Sequence, residues 1–188
     1  LSVNAQKTWV LNGSGNWSTG ANWSGGTAPT STDDVLLNVN ASRTITVDVS
    51  VNIRSLTLSG TNFGVSISGT NTIDISGNLS QSNGTLNCGN GTIRVGGNWS
   101  KTAGTFTQGT GTLEFDGSSA QTISVNDNPR TLYNLRINNS SGNVSVTSGN
   151  LTISNILTMS SGNLAIGSNT LTINGTVASM SASNALTG

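Results

Sequence analysis

Between Gly64 and Ile123 the chain repeats itself every twenty residues. Set as three rows without a gap, the segment reads GVSISGTNTIDISGNLSQSN, then GTLNCGNGTIRVGGNWSKTA, then GTFTQGTGTLEFDGSSAQTI. Gly64, Gly84 and Gly104 share one column, as do Gly69, Gly89 and Gly109, and Gly77, Gly97 and Gly117. Thr72, Thr92 and Thr112 form another, followed by Ile73, Ile93 and Leu113, and then by Ile75, Val95 and Phe115. A fixed period with glycines at fixed offsets is the mark of a solenoid, in which each repeat is one coil laid on the next. Alternating apolar residues between the glycines predict strands near 65–68, 72–76 and 78–80 of each coil, with glycine at the corners.

Composition narrows the classes. Only 7% of the 188 residues are charged, seven acidic against seven basic, so no basic face is offered to nucleic acid or to an anionic membrane. No apolar run approaches the ~20 residues of a membrane-spanning helix. Histidine is absent, which removes imidazole bases and most zinc sites. The one cysteine, Cys88, rules out an internal disulfide and reads as a small buried hydrophobe on the face of Leu86. We expect no catalytic residue, cofactor or metal site.

Residues 1–6 resemble the tail of a secretory signal, with Ala5 near a cleavage point, or else form an N-terminal strand. Residues 7–35 differ in texture from all that follows. Trp9, Trp17 and Trp23 lie there among Gly, Asn and Ser, ahead of Pro29 and the pair Asp33–Asp34. A first coil has an open backbone edge and one end of its core facing water, and large rings in a looped segment would cover both. The alternative is a carbohydrate platform, with exposed tryptophan faces stacked on sugar rings.

The spacing W-x7-W-x5-W, followed by Pro29 and Asp33-Asp34-Val35, resembles the start of autotransporter-type passenger domains. The later GNWSKTAGTFTQGTGTLEFDGSSAQTI and LYNLRINNSSGNVSVTSGNLTISNILTM are similar to repeats of very large secreted proteins of Bacteroidota. This resemblance implies a right-handed parallel β-helix displayed outside the cell, and it carries no active-site pattern. The general right-handedness of parallel crossovers agrees. The expected fold is thus all-β: a right-handed parallel β-solenoid of about 20 residues per coil over residues 36–188, with a tryptophan-rich cap.

The period slips once, in TISVNDNPRTLYNLRINNSS, where a loop from Val125 to Arg130 is expected to bulge from a corner. Such loops often carry binding, which makes Asn128, Arg130 and Tyr133 candidate partner contacts. The repeat then resumes, with Asn143, Val144, Leu151 and Ile153 lying twenty residues before Asn163, Leu164, Leu171 and Ile173. Within the columns, Asp74, Arg94 and Glu114 predict a charge ladder on the outer surface. Asn78 over Asn98, and Asn143 over Asn163, predict short amide ladders. The threonine column is too narrow to argue for ice binding. The Asn-x-Ser/Thr sequons follow from composition.

The function expected from these features is structural and extracellular: a cell-surface stalk or adhesin segment, or a filament subunit that self-associates end to end. No nucleic-acid partner and no membrane span are expected. The alternatives are a carbohydrate-binding module or a polysaccharide lyase or hydrolase on the same scaffold. The enzyme reading needs clustered acids, whereas here they are scattered along the chain.

Overall fold

The computed structural model describes residues 5–126, 130–180 and 184–188. It is a parallel β-solenoid of about seven turns with roughly 21 residues per coil. Each central coil contributes three short strands. Phe63–Ile67, Thr72–Ile75 and Leu79–Gln81 make one coil, and Thr85–Asn87, Thr92–Val95 and Trp99–Lys101 the next. Thr105–Thr107, Thr112–Phe115 and Gln121–Val125 follow. Equivalent strands pair in parallel from coil to coil, giving the stack three faces. Gly69, Gly89 and Gly109 turn the corner between the first and second faces with φ of 60°, 56° and 62°, angles that a Cβ disfavours.

On the second face the sequence register holds. Ile73 lies beside Ile93 and Ile93 beside Leu113, with Ile75, Val95 and Phe115 in the neighbouring column. All six are fully buried. Side chains alternate along a strand, so these ranks fill the interior while Thr72, Thr92 and Thr112 face out. The third face stacks Leu79, Trp99 and Ile123 in the same manner, and the Trp99 ring meets Phe106 at 5.1 Å.

On the first face the register departs from the expected columns by one residue. Gly64 stands beside Thr85, not Gly84, and Val65 stands beside Leu86. A slip of one position would turn Leu86 out to solvent, and burial of Val65, Leu86 and Phe106 in a single interior rank decides the matter. The corner absorbs the difference, since eight positions separate Val65 from Ile73 and seven separate Leu86 from Ile93.

The period does slip, but earlier than expected. Phe115 and Ile123 are eight positions apart where Val95 and Trp99, their partners in the coil below, are four apart, so Trp99 pairs with Ile123, 24 residues on, and Leu113 with Leu135, 22 residues on. Residues 127–129 of the expected Val125–Arg130 loop lie outside the described residues. The long strands Arg130–Ser148 and Leu151–Ala165 then carry the stack, pairing with each other and joining the second and third faces into one 15-stranded sheet. Among the described residues the first face is interrupted here. Thr105–Thr107 pairs only with Thr85–Asn87, and residues 130–132 pair forward with 151–153.

The interior is not wholly apolar. Leu58, Gln81, Lys101 and Val125 form one inward rank, and the Gln81 amide donates to the carbonyls of Gly84 and Thr105 at 3.1 and 2.9 Å. Burial lowers the pKa of the Lys101 ammonium, and the nearby charge of Arg130 lowers it further. The asparagine ladders also differ in kind. Asn163 Nδ2 donates to Asn143 Oδ1 at 3.1 Å, amide to amide as expected. Asn78 Oδ1 instead accepts the backbone N–H of Asn98, and Asn98 Oδ1 that of Thr122, both at 2.8 Å.

Candidate functional site

Of the residues singled out above, the three tryptophans come together at the N-terminal end. Gln6–Thr8 pairs with Asp34–Leu37, and Trp9 then bridges to Trp23. The Trp23 ring stands edge-on to Trp9 at 5.1 Å and tilted against Trp17 at 4.7 Å. Its indole N–H donates to Trp17 O at 2.7 Å, and that of Trp9 to Gly13 O at 3.1 Å. The buried Lys7 ammonium holds the 24–27 loop through Ser24 O, Thr27 O and Thr27 Oγ1. Ser18 ties the cluster to the first coil by donating its N–H and hydroxyl to Asp48 at 3.0 and 2.6 Å. Slight burial raises the Asp48 pKa, but the Ser18 bonds outweigh it and hold the carboxyl below its ordinary range.

Trp17 and Trp23 are 0% and 1% exposed, and Trp9 is 5%. Stacked on one another, these rings have no free face to offer a sugar, because the apolar area is already covered. The three rings form a packed cluster at the N-terminal end of the core, without the exposed ring faces that a sugar platform stacks on.

The charged column is longer than the sequence reading saw, and deeper. Asp74, Arg94 and Glu114 lie in register, and Arg136 continues the alternation. Glu114 is buried rather than on the outer surface. Its carboxylate lies 3.3 Å from Arg94 Nε and 3.5 Å from Arg136 Nε, and it accepts a bond from Asn138 Nδ2 at 3.0 Å. The two arginine side chains flank it and are themselves half exposed. Asp116 sits beside this column. Burial raises its pKa, and the charges of Asp74 and Glu114 push the same way against Arg94.

Asp33 and Asp34 are also tied to structure. Asp33 accepts from the N–H and hydroxyl of Thr30, and Asp34 pairs with Arg54 and Ser55. Among the described residues no three His, Cys, Asp or Glu side chains gather as a metal site would require.

Where the described pairing of the first face stops, side chains reach from coil to coil. Arg130 Nη1 donates to Phe106 O at 2.5 Å, and its guanidinium lies 5.6 Å from the Phe106 ring centre. The Gln108 amide donates to Asn134 O at 2.6 Å and accepts from Tyr133 N at 2.5 Å. Arg130 and Tyr133 thus share a shallow pocket of about 360 Å³. Asn128, the third candidate contact, lies outside the described residues.

A larger concavity lies elsewhere, on the first face, and the sequence reading missed it. Thr44, Gly64, Thr85 and Thr105 stand in one outward rank. Thr46, Ser66, Asn87 and Thr107 stand in the next. Between these ranks and the preceding corner runs an open trough of about 890 Å³. Its signal was present in Thr44-x-Thr46 and Thr105-x-Thr107, but the ranks align only once Val65 is set beside Leu86.

Cys88 is buried as expected, its thiol donating to Gly91 O at 3.1 Å, and burial pushes its pKa up to about 12. We expect Ellman's reagent at pH 8 to leave the folded chain unmodified and to titrate one thiol after denaturation. A raised pKa favours the neutral thiol in the folded state. This contribution to stability is complete below the ordinary value of 9.0 and is lost as pH rises from there toward about 12. Cys88→Ala should flatten that part of the alkaline stability profile, which urea unfolding at a series of pH values would measure.

Comparison with protein-family models, curated proteins and solved structures found no match. The class is therefore the one that the coordinates define. The chain is a β-solenoid repeat protein of parallel strands with a tryptophan cluster at its N-terminal end.

Proposed function

We propose that this chain is a non-catalytic, extracellular structural element, a stalk or adhesin segment whose coils act as a rigid spacer. One observation carries the reading: the two ends of the stack are unlike. At one end the tryptophan cluster closes the core. At the other, Leu171–Ile173, Thr176–Ala178 and Leu186–Thr187 pair with the preceding strand Leu151–Ala165, and Val177 and Met180 are exposed beside them. A sheet edge of this kind is a template for strand addition, and a further coil of the same repeat is the occupant that fits its register. Support for an external location comes from the resemblance of the repeats to exported proteins and from the sparse charge. No helix among the described residues is long and apolar enough to cross a membrane.

The asymmetry also bears on the filament alternative. Copies with one closed end and one open end meet open end to open end, and such a two-fold contact stops at a pair. Light scattering coupled to gel filtration, with negative-stain images, tests this on the 188-residue chain. Short rods, single or paired, are the expected result. Continuous fibres would show that the capped end also accepts a partner and would reinstate the filament subunit. Release of unsaturated or reducing ends from a uronic-acid polymer would overturn the non-catalytic reading.

A further inference from the structure

The trough on the first face contains a residue that the fold does not need. Gly64 sits in the middle of the strand Phe63–Ile67, flanked by buried Phe63 and Val65, so it points outward. It is not among the glycines with positive φ. A Cβ built there would meet Thr85 Cβ at 3.6 Å and Thr85 O at 3.7 Å, ordinary contacts. Neither backbone angle nor packing requires glycine at this place, and the other positions of its rank carry threonine: Thr44 before it, Thr85 and Thr105 after. Glycine inside a strand weakens it, and it commonly marks a place where a ligand comes close to the backbone. Here the missing side chain lowers the floor of the concavity.

The lining indicates what approaches. Hydroxyls of Thr44, Thr85 and Thr105 both donate and accept hydrogen bonds, while Asn87 donates to Ser66 Oγ at 3.4 Å and accepts from Gly89 N at 3.0 Å, which fixes the polar wall beside them. No carboxylate lines the trough, and its one cation, Arg43, is bound to Leu11 O and Asn12 Oδ1 at 2.8 and 2.7 Å. Phe63 is buried beneath and offers no ring face. The ranks recur with each coil, so across four strands they extend roughly 14 Å along the stack. A flat lattice such as ice does not fit a face with a dip at its centre, whereas a chain that repeats its own hydroxyls does.

We propose that this trough binds a neutral, linear glycan laid along the solenoid axis, with its closest approach over Gly64. This goes beyond the spacer role and does not depend on what pairs with the last coil. The test is a microarray of neutral linear glycans, with polygalacturonate as the anionic comparator, probed with the whole chain and with Gly64→Ala and Gly64→Val. Melting curves of all three proteins accompany the array. The expected result is retention on at least one neutral glycan, weakened tenfold or more by Gly64→Val and less by Gly64→Ala, while neither variant melts below the parent. Three outcomes would overturn the proposal: no retention on any neutral glycan, retention on polygalacturonate alone, or undiminished binding by a stably folded Gly64→Val. If Gly64→Val misfolds, Gly64→Ala decides by the same criterion. Inhibition of ice recrystallisation without glycan binding would also overturn it, in favour of a lattice ligand.

Discussion

Trp23→Ala is expected to cost about 4 kcal/mol and to lower the melting temperature by about 12 °C for a chain of this size. Trp23 is the central ring of the cap, in contact with both Trp9 and Trp17. Its removal opens a cavity between two rings that have no other means of closing, and it leaves Trp17 O without its indole donor. Phenylalanine at the same position retains most of the ring contact and loses the hydrogen bond, so Trp23→Phe should cost only about 1–2 kcal/mol. Stability in a repeat stack is a sum of coil and interface terms, so the loss should be local. Amide exchange should accelerate in Asp34–Leu37 and Arg43–Val47, which the cap covers, and remain unchanged in Leu151–Ala165. Thermal melts followed by circular dichroism, with exchange mass spectrometry, check both parts. A melting point equal to that of the parent would show that the rings do not act as a lid.

Gly104→Val should be about as damaging, for a different reason. Gly104 turns a corner at φ 78°, and a Cβ there would lie 2.6 Å from Asn83 O and 2.7 Å from Gly84 O. Valine adds the strain of a β-branched residue in the left-handed region to a clash with the coil below, together about 4 kcal/mol. The coil cannot simply move aside, because Gly84 O is also the acceptor for Thr105 N at 2.8 Å. Gly13 is the comparison: nothing lies within 4 Å of its Cβ position and its φ is not positive, so Gly13→Ala should change stability by less than about 0.5 kcal/mol. Urea unfolding of the two variants measures the contrast. It also separates corner glycines, which the backbone demands, from Gly64, where valine is expected to be tolerated.

The columns legible in the sequence were those with an even step. Ile73, Ile93 and Leu113 could be stacked on paper because twenty residues separate them and polar residues alternate around them. That the count fails could be seen for the same reason, but not where: the added residues fall between Phe115 and Ile123, inside the last row read as regular. Arg136 was invisible as the partner of Glu114 because it lies across that break, 22 residues on instead of twenty. Burial of Glu114 was equally hidden, since a position flanked by inward residues reads as outward. Only the structure shows that this carboxylate, paired with an arginine from each neighbouring coil, is buried. For the tryptophans the sequence offered both a lid and a platform, because ring size alone does not say whether a face is free.

What the sequence determined by itself, then, was that the chain coils, about how long the coils are and that their rhythm fails once. These follow from spacing and from the alternation of a strand, which are local properties. Only the tertiary structure decided which residue of one coil meets which of the next on the first face, where Val65 pairs with Leu86 and leaves Gly64 outside. The physical reason is that register is settled by burial across the whole interior. A single residue taken up at a corner, which no local pattern reveals, moves a glycine from an assumed turn into the floor of a trough.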